Sequence, residues 1–315
     1  MSPYGGCDEG PLPDSALSFT HSVNYSESSV SSAPGLDCSS DKDLQRAEGS
    51  CRMVLGGSEK GTRVMELYQK SPLRVLFPGT TGSRLEEAVL VNTSGGMAGG
   101  DRLETSVTAV EDASIAITTQ AAERVYRALT ESAHILTTLK TRSTARLAWL
   151  PQETIVFNRA RLSRETRVEV VSGTELLALE WLVLGRAAHG ETLSAAAITD
   201  RWRIVKDGKL VWADSFRITD DVLPNLWRKA LLCDCTATAT LVYFGAESGG
   251  RLEFVRDRAS SLGCHCGVTF VGGLMVARFA ARASCDLRTA LRSVLQQFGD
   301  GLPQGPFQVP KMWSC

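Results

Sequence analysis

A lone acid, Glu180, sits inside the apolar run Leu176–Leu184. In an extended strand, alternate residues face opposite sides. One face then reads Leu176, Ala178, Glu180, Leu182, Leu184, and the other Leu177, Leu179, Trp181, Val183. Both faces are apolar, the signature of a strand buried on both sides. A bare carboxylate there is costly unless it is paired, protonated, hydrated or close to a cation. Asp214 repeats the pattern, sharing a face with Leu210, Trp212 and Phe216. Each acid admits two readings. One is a structural salt bridge, with Arg186, Arg201, Arg203 or Arg217 as available partners. The other is a polar, water-filled interior path.

The stretch Ser94-Gly95-Gly96-Met97-Ala98-Gly99-Gly100-Asp101 resembles a phosphate loop only in its glycines. It is not GxGxxG, it has no Lys-Ser/Thr, and an Asp directly after the glycines would repel phosphate. It reads as a tight glycine turn between strands, or as a turn that another backbone or an ion approaches closely with Asp101 positioned by it. The pairs Cys233-Asp234-Cys235 and Cys264-His265-Cys266 place thiols at i and i+2, on one side of a strand. Together they could form a four-thiolate metal site, although structural zinc prefers wider spacing. Lying among Ala, Thr and Gly, they read equally as small buried apolar residues.

Nucleophilic catalysis finds little support. The four histidines are His21, His134, His189 and His265, and neither a GxSxG elbow nor an HExxH pair is present. A β-rich hydrolase using some of the same acids is retained as an alternative.

Elements that would position these residues follow from a period-2 pattern between about residues 62 and 218. Strand-like runs fall at Ala88–Asn92, Leu103–Val110, Ser114–Thr119, His134–Leu139, Ala145–Trp149, Thr154–Phe157, Arg167–Val171, Leu176–Leu184, Trp202–Lys206 and Leu210–Ile218. Turn residues such as Gly95-Gly96, Ser172-Gly173 and Asp207-Gly208 separate them. This predicts a mainly β fold, a β-helical or sandwich-like stack of many short strands. No fixed repeat is visible. Two α-helices are predicted in the C-terminal third. Asp286–Phe298 places Leu287, Leu291, Val294, Leu295 and Phe298 on one face, and Gly250–Leu262 is patterned similarly. Strands flank that second helix at Thr236–Phe244, Gly267–Val271 and Leu274–Ala280. The tail from Gly301 to Cys315 has no periodicity and is expected to follow the surface or contact a partner.

The chain has 315 residues with 34 basic and 35 acidic side chains. No basic excess points to nucleic acid, and no apolar run is long enough to span a membrane. The balance hides an asymmetry, because residues 1–41 carry six acids and no Lys or Arg. Rich also in Ser, Gly and Pro, residues 1–45 read as a disordered leader before a single domain over 46–315. The leader lacks the features of a secretory or transit peptide, which predicts a cytoplasmic protein. Nine cysteines, an odd number, argue against a disulfide scaffold.

Several segments in order resemble the urease accessory family UreD, also called UreH. They are Ser71-Pro72-Leu73-Arg74-Val75, Asn92 to Leu103 around Gly95, Gly96, Gly99 and Gly100, and Thr118-Thr119-Gln120-Ala121-Ala122 with Val125-Tyr126-Arg127. Trp149-Leu150-Pro151-Gln152-Glu153-Thr154 follows, then Leu177-Ala178-Leu179-Glu180 with Leu184-Gly185-Arg186, and Val309-Pro310-Lys311-Met312-Trp313 near the end. The resemblance covers about residues 49–315 and excludes the leader and the cysteine pairs. It implies a mostly β, non-enzymatic scaffold for nickel delivery. It further implies binding to urease apoprotein and to UreF, and through UreF to the GTPase UreG. No tightly bound cofactor is implied, only transient Ni2+. Acids of an internal nickel path would map to Asp101 and Glu180, and by a looser match to Asp214. Such a path must bind nickel well enough to admit it and weakly enough to release it. Isolated carboxylates with water suit that, whereas a His/Cys cage would retain the metal.

Overall fold

The computed structural model describes residues 45–59, 61–78, 87–186, 189–245, 252–300 and 309–314. The predicted acidic leader lies outside the described residues, apart from Gln45, and so do His21, Cys7, Cys38 and Cys315.

Seventeen strands form among these residues. The first eight are β1 (Glu48–Ser58), β2 (Gly61–Lys70), β3 (Leu73–Leu76), β4 (Glu87–Asn92), β5 (Arg102–Val110), β6 (Ser114–Thr119), β7 (Glu123–Val125) and β8 (Ala133–Thr141). Next come β9 (Arg146–Trp149), β10 (Thr154–Val156), β11 (Arg161–Val170), β12 (Glu175–Leu184), β13 (Ala197–Lys206) and β14 (Lys209–Ile218). The last are β15 (Ala237–Phe244), β16 (His265–Val271) and β17 (Leu274–Ala281). Helices α1 (Leu252–Ser261) and α2 (Ser284–Asp300) flank the final strand pair.

Two sheets result. The first has the order β14-β13-β11-β8-β5-β1-β2, and the second β16-β17-β15-β12-β9-β6-β4-β3, with β10 beside β12 and β7 beside β10. The central strands of each sheet pair in parallel: β1, β5, β8, β11 and β13 in the first, and β4, β6, β9 and β12 in the second. Parallel neighbours need a crossover connection, usually a helix. Here a strand of the opposite sheet supplies it. From β5 to β6 to β8 to β9, and again from β11 to β12 to β13, the chain passes between the sheets and stacks each coil on the last. The architecture is therefore mainly β and solenoid-like. Its repeat lies in the backbone path, and coils of unequal length leave no fixed period in the sequence.

Two apolar cores follow. One lies between the sheets and includes Met53, Leu55, Val107, Leu139, Val168 and Ile204. The other fills the space between the second sheet and the helices, with Leu241, Val255, Leu287, Leu291, Val294 and Phe298. Strand β12 serves both. Leu176, Ala178, Leu182 and Leu184 face the first core, and Leu177, Leu179, Trp181 and Val183 face the second. The doubly buried strand expected from its pattern is present. So is the apolar face of α2, whose Leu287, Leu291, Val294, Leu295 and Phe298 are all buried.

The tail differs from expectation. Its described part forms a short 3-10 helix, Lys311–Ser314, with Trp313 fully buried. The Trp313 ring stacks on Trp181 with centroids 5.7 Å apart, and its Nε1 donates to the Leu150 carbonyl at 2.9 Å. A residue without periodic neighbours still docks when one large ring finds a pocket. Strands β1, β3, β7 and the first halves of β11 and β13 were also not anticipated.

Candidate functional site

Glu180 projects from β12 into the core between the sheets and is 6% exposed. Its partner is none of the arginines expected from sequence. It is Arg164, on β11 of the opposite sheet, which is 1% exposed. Arg164 Nη1 donates to Glu180 Oε2 at 2.8 Å and to Thr154 Oγ1 at 3.1 Å. The rest of the guanidinium fork holds Asp200 on β13, with Nε to Oδ1 at 2.9 Å and Nη2 to Oδ2 at 2.7 Å. Arg164 and Asp200 are register partners on adjacent strands. Trp149 Nε1, at the end of β9, donates to Glu180 Oε1 at 2.8 Å. Every oxygen of the two carboxylates is therefore engaged.

Burial pushes the Glu180 carboxyl above its ordinary pKa, and the Arg164 charge opposes that shift. For Arg164, burial works against its charge, but Asp200 and Glu180 outweigh it and hold its pKa above the ordinary value. The guanidinium stays ionised.

Two cavities meet at this cluster, and Arg164 and Glu180 line both. The first, about 280 Å3, runs past Trp149, Gln152, Thr154 and Glu123 to the exposed residues Gly95, Gln120, Ala121 and Arg124. The second, about 500 Å3, runs past Asp200 and Thr240 to Asp214, Ser215, His265, Cys266 and Arg278. Ser215, His265 and Arg278 at its outer end are exposed.

Asp101 has a different place from Glu180. It is buried, but it lines neither of these cavities. Its Oδ1 accepts the Ala47 N–H at 2.8 Å and its Oδ2 accepts the Ala98 N–H at 2.7 Å. That is the close backbone approach that the glycine turn suggested. Gly96 sits at φ +145°, where an added Cβ would lie 2.5 Å from the Tyr126 ring. The Tyr126 hydroxyl donates to the Gly95 carbonyl at 2.8 Å. Asp101 thus holds the loop whose Gly95 and Gly96 wall the first cavity. Gly99 and Gly100 complete the turn, where Gly100 takes φ +91°.

Asp214 differs from the expectation of an acid within an apolar strand. Strand β14 is the edge of its sheet, and Asp214 is half-buried and paired with Arg278. It lines the outer part of the second cavity rather than its centre.

Other motif residues make contacts within the fold. The Pro151 carbonyl accepts the Trp181 Nε1–H at 3.0 Å. Gln152 Nε2 donates to the Met312 carbonyl at 2.9 Å, and Glu153 pairs with Arg288 at 2.6 Å. This segment pins the tail and α2 to the second sheet. Gln120 and Arg127 are exposed, and Arg127 bridges to Ala160.

The cysteine pairs form no thiolate centre. Among the described residues, no group of three or more His, Cys, Asp or Glu side chains is placed to hold a metal. Cys235 and Cys264 are buried, and Cys264 Sγ lies 3.4 Å from the Ala280 carbonyl. Cys233 and Cys266 are partly buried. Burial pushes the Cys264 thiol up to about 11 and the Cys266 thiol to about 12, which disfavours the thiolate a metal requires.

Sequence reasoning missed Arg164 and Asp200. The signal was the one that found Glu180, a charge at an inward register. Leu162, Arg164, Thr166 and Val168 alternate inward on β11, as do Ile198, Asp200, Trp202 and Ile204 on β13.

The family model described as UreD urease accessory protein matches residues 47–314. A protein of Rhizobium leguminosarum bv. viciae named urease accessory protein UreD is 39% identical over 270 residues, covering 86% of this chain and 96% of the relative. Proteins of the same name from Mesorhizobium japonicum and Brucella suis are each 38% identical, over 271 and 273 residues. Each match covers 86% of this chain and 95% of the relative.

Proposed function

The chain belongs to the UreD family of urease accessory proteins, and from that premise we propose that it serves urease maturation as a nickel-conducting scaffold. It binds urease apoprotein on one side and UreF on another, with UreG joined through UreF. Nickel passes through its interior as cargo. No nucleic acid or membrane is involved, and the work is done in the cytoplasm.

The observation that carries this reading is the meeting of two cavities at the Glu180–Arg164 pair. One cavity reaches exposed residues beside the glycine loop, and the other reaches exposed residues beside β14 and β16. A charged narrowing between two partly polar cavities is what multi-site ion passage needs, because each site must release what it binds. Glu180 is the acid at the narrowing. Asp214 stands toward the outer end of the second cavity. Asp101 acts indirectly, by fixing the loop that walls the first.

A second reading is a scaffold that conducts nothing. It is favoured by the full engagement of Glu180 with Arg164 and Trp149, as in a structural ion pair. A hydrolase fits less well, because its acids would stand in an open cleft.

The test is urease activation in the presence of Glu180→Ala and Asp101→Ala variants, with complex assembly followed separately. The conduit reading expects assembled complexes with low activation for Glu180→Ala. Full activation by both variants would sink it, and loss of assembly would support the structural role instead.

A further inference from the structure

Arg164 is a fixed positive charge standing where the two cavities meet. A cation passing from one cavity to the other encounters the carboxylates of Glu180 and Asp200 with their oxygens already taken. Two buried carboxylates alone, at formal charge −2, would form a strong hard-cation site. With the guanidinium in place its positive charge offsets theirs, and a divalent ion must displace an existing partner to bind. We propose that Arg164 is the resident cation of the narrowing, setting its affinity low enough that a divalent metal is handed on rather than held. This rests on the conduit reading above.

The geometry places the guanidinium between the two volumes. Arg164 borders both cavities while its Nε, Nη1 and Nη2 hold Asp200, Thr154 and Glu180, so a cation passing from one cavity to the other must compete with it for the same carboxylates. Arg164 does not leave by losing its proton, because the two acids hold its pKa above the ordinary range. The arrangement also distinguishes Arg164 from the pairs at the surface. Arg186–Glu191 and Arg167–Glu165 are partly exposed, and neither pair lines either cavity. A positioning cation of this kind makes a prediction that a purely structural one does not, namely that removing it creates metal affinity.

Equilibrium dialysis of the full-length protein against Ni2+ tests this. Arg164→Met is expected to bind one additional Ni2+ about tenfold or more tighter than wild type, because two carboxylates lose their internal neutraliser. Adding Asp200→Asn should abolish the gain. Arg164→Lys, which keeps the charge, should stay close to wild type. A folded Arg164→Met protein with no gain in affinity overturns the proposal. If Arg164→Met does not fold, Arg164→Gln takes its place, since its neutral amide can still donate to one of the two carboxylates. It carries the same expectation of a gain in Ni2+ affinity about tenfold or more, and no gain overturns the proposal. The two levels of the account fail separately. If Glu180→Gln leaves transfer untouched, the conduit itself is wrong. If Glu180→Gln blocks transfer while Arg164→Met gains no affinity, only the role of Arg164 is wrong.

Discussion

Glu180 Oε2 lies 2.8 Å from Arg164 Nη1, and the two residues come from strands in opposite sheets. The pair joins the sheets across their core at the place where the cavities meet. Asp200 completes the cluster from β13. Removing one member of such a buried group leaves the others uncompensated. Asp200→Ala is expected to destabilise the protein by about 3–5 kcal/mol, read from the urea midpoint. A change within about 0.5 kcal/mol would mean the cluster does not hold the sheets together.

Trp313 predicts a comparable loss at the other core. It is fully buried, stacked on Trp181, and Arg288 lies over both rings. Trp313→Ala should cost about 3–5 kcal/mol by denaturant unfolding. The tail is then a structural part of the domain. A stability equal to wild type would return it to the role of a free partner-contacting end.

Glu123 gives a pH dependence. It lines the first cavity, and burial pushes its carboxyl up from 4.5 to about 7, against a lowering contribution from the Asn92 hydrogen bonds. Between those values the folded state holds a proton that the unfolded state has released. Stability therefore falls as pH rises from about 4.5 to about 7 and levels off above. Glu123→Gln should flatten that slope and be more stable than wild type at pH ~8 by about 3 kcal/mol. Thermal unfolding across pH measures it, and an unchanged slope would contradict it.

The glycine loop predicts a steric contrast. At Gly96 an added Cβ would press on Tyr126, while at Gly95 it would meet open space. Both positions have positive φ, so each alanine carries a backbone penalty of about 1 kcal/mol. Gly96→Ala should cost about 2 kcal/mol more than Gly95→Ala. It should also lower urease activation by deforming the cavity wall. Equal effects at the two positions would argue against the packing described.

Much of this was legible in the sequence. Alternation located most strands, and the two apolar faces of Leu176–Leu184 placed Glu180 inside. Burial of Arg164 was not legible, because the segment Arg161–Arg167 reads as charged and exposed. Two of its three arginines do lie outward or partly so, and only Arg164 faces in. The pairing of β11 with β13 joins residues 36 apart, and no local pattern reports that contact. Asp214 was misplaced for the opposite reason. Its strand has an apolar face, but as a sheet edge it leaves that face partly open. The coil-on-coil stacking was hidden because unequal loops erase any sequence period.

The conduit itself is tested most directly by nickel transfer inside an assembled complex. Apo-urease, this protein, UreF and nickel-loaded UreG are combined in a chelator that strips nickel from solution, and urease activity is followed. Wild-type protein is predicted to activate urease under these conditions. Glu180→Gln, which keeps the shape and the Trp149 hydrogen bond, is predicted to assemble the same complex but to activate it about tenfold less or worse. Equal activation by wild type and Glu180→Gln in the chelator would contradict passage through the Glu180–Arg164 narrowing.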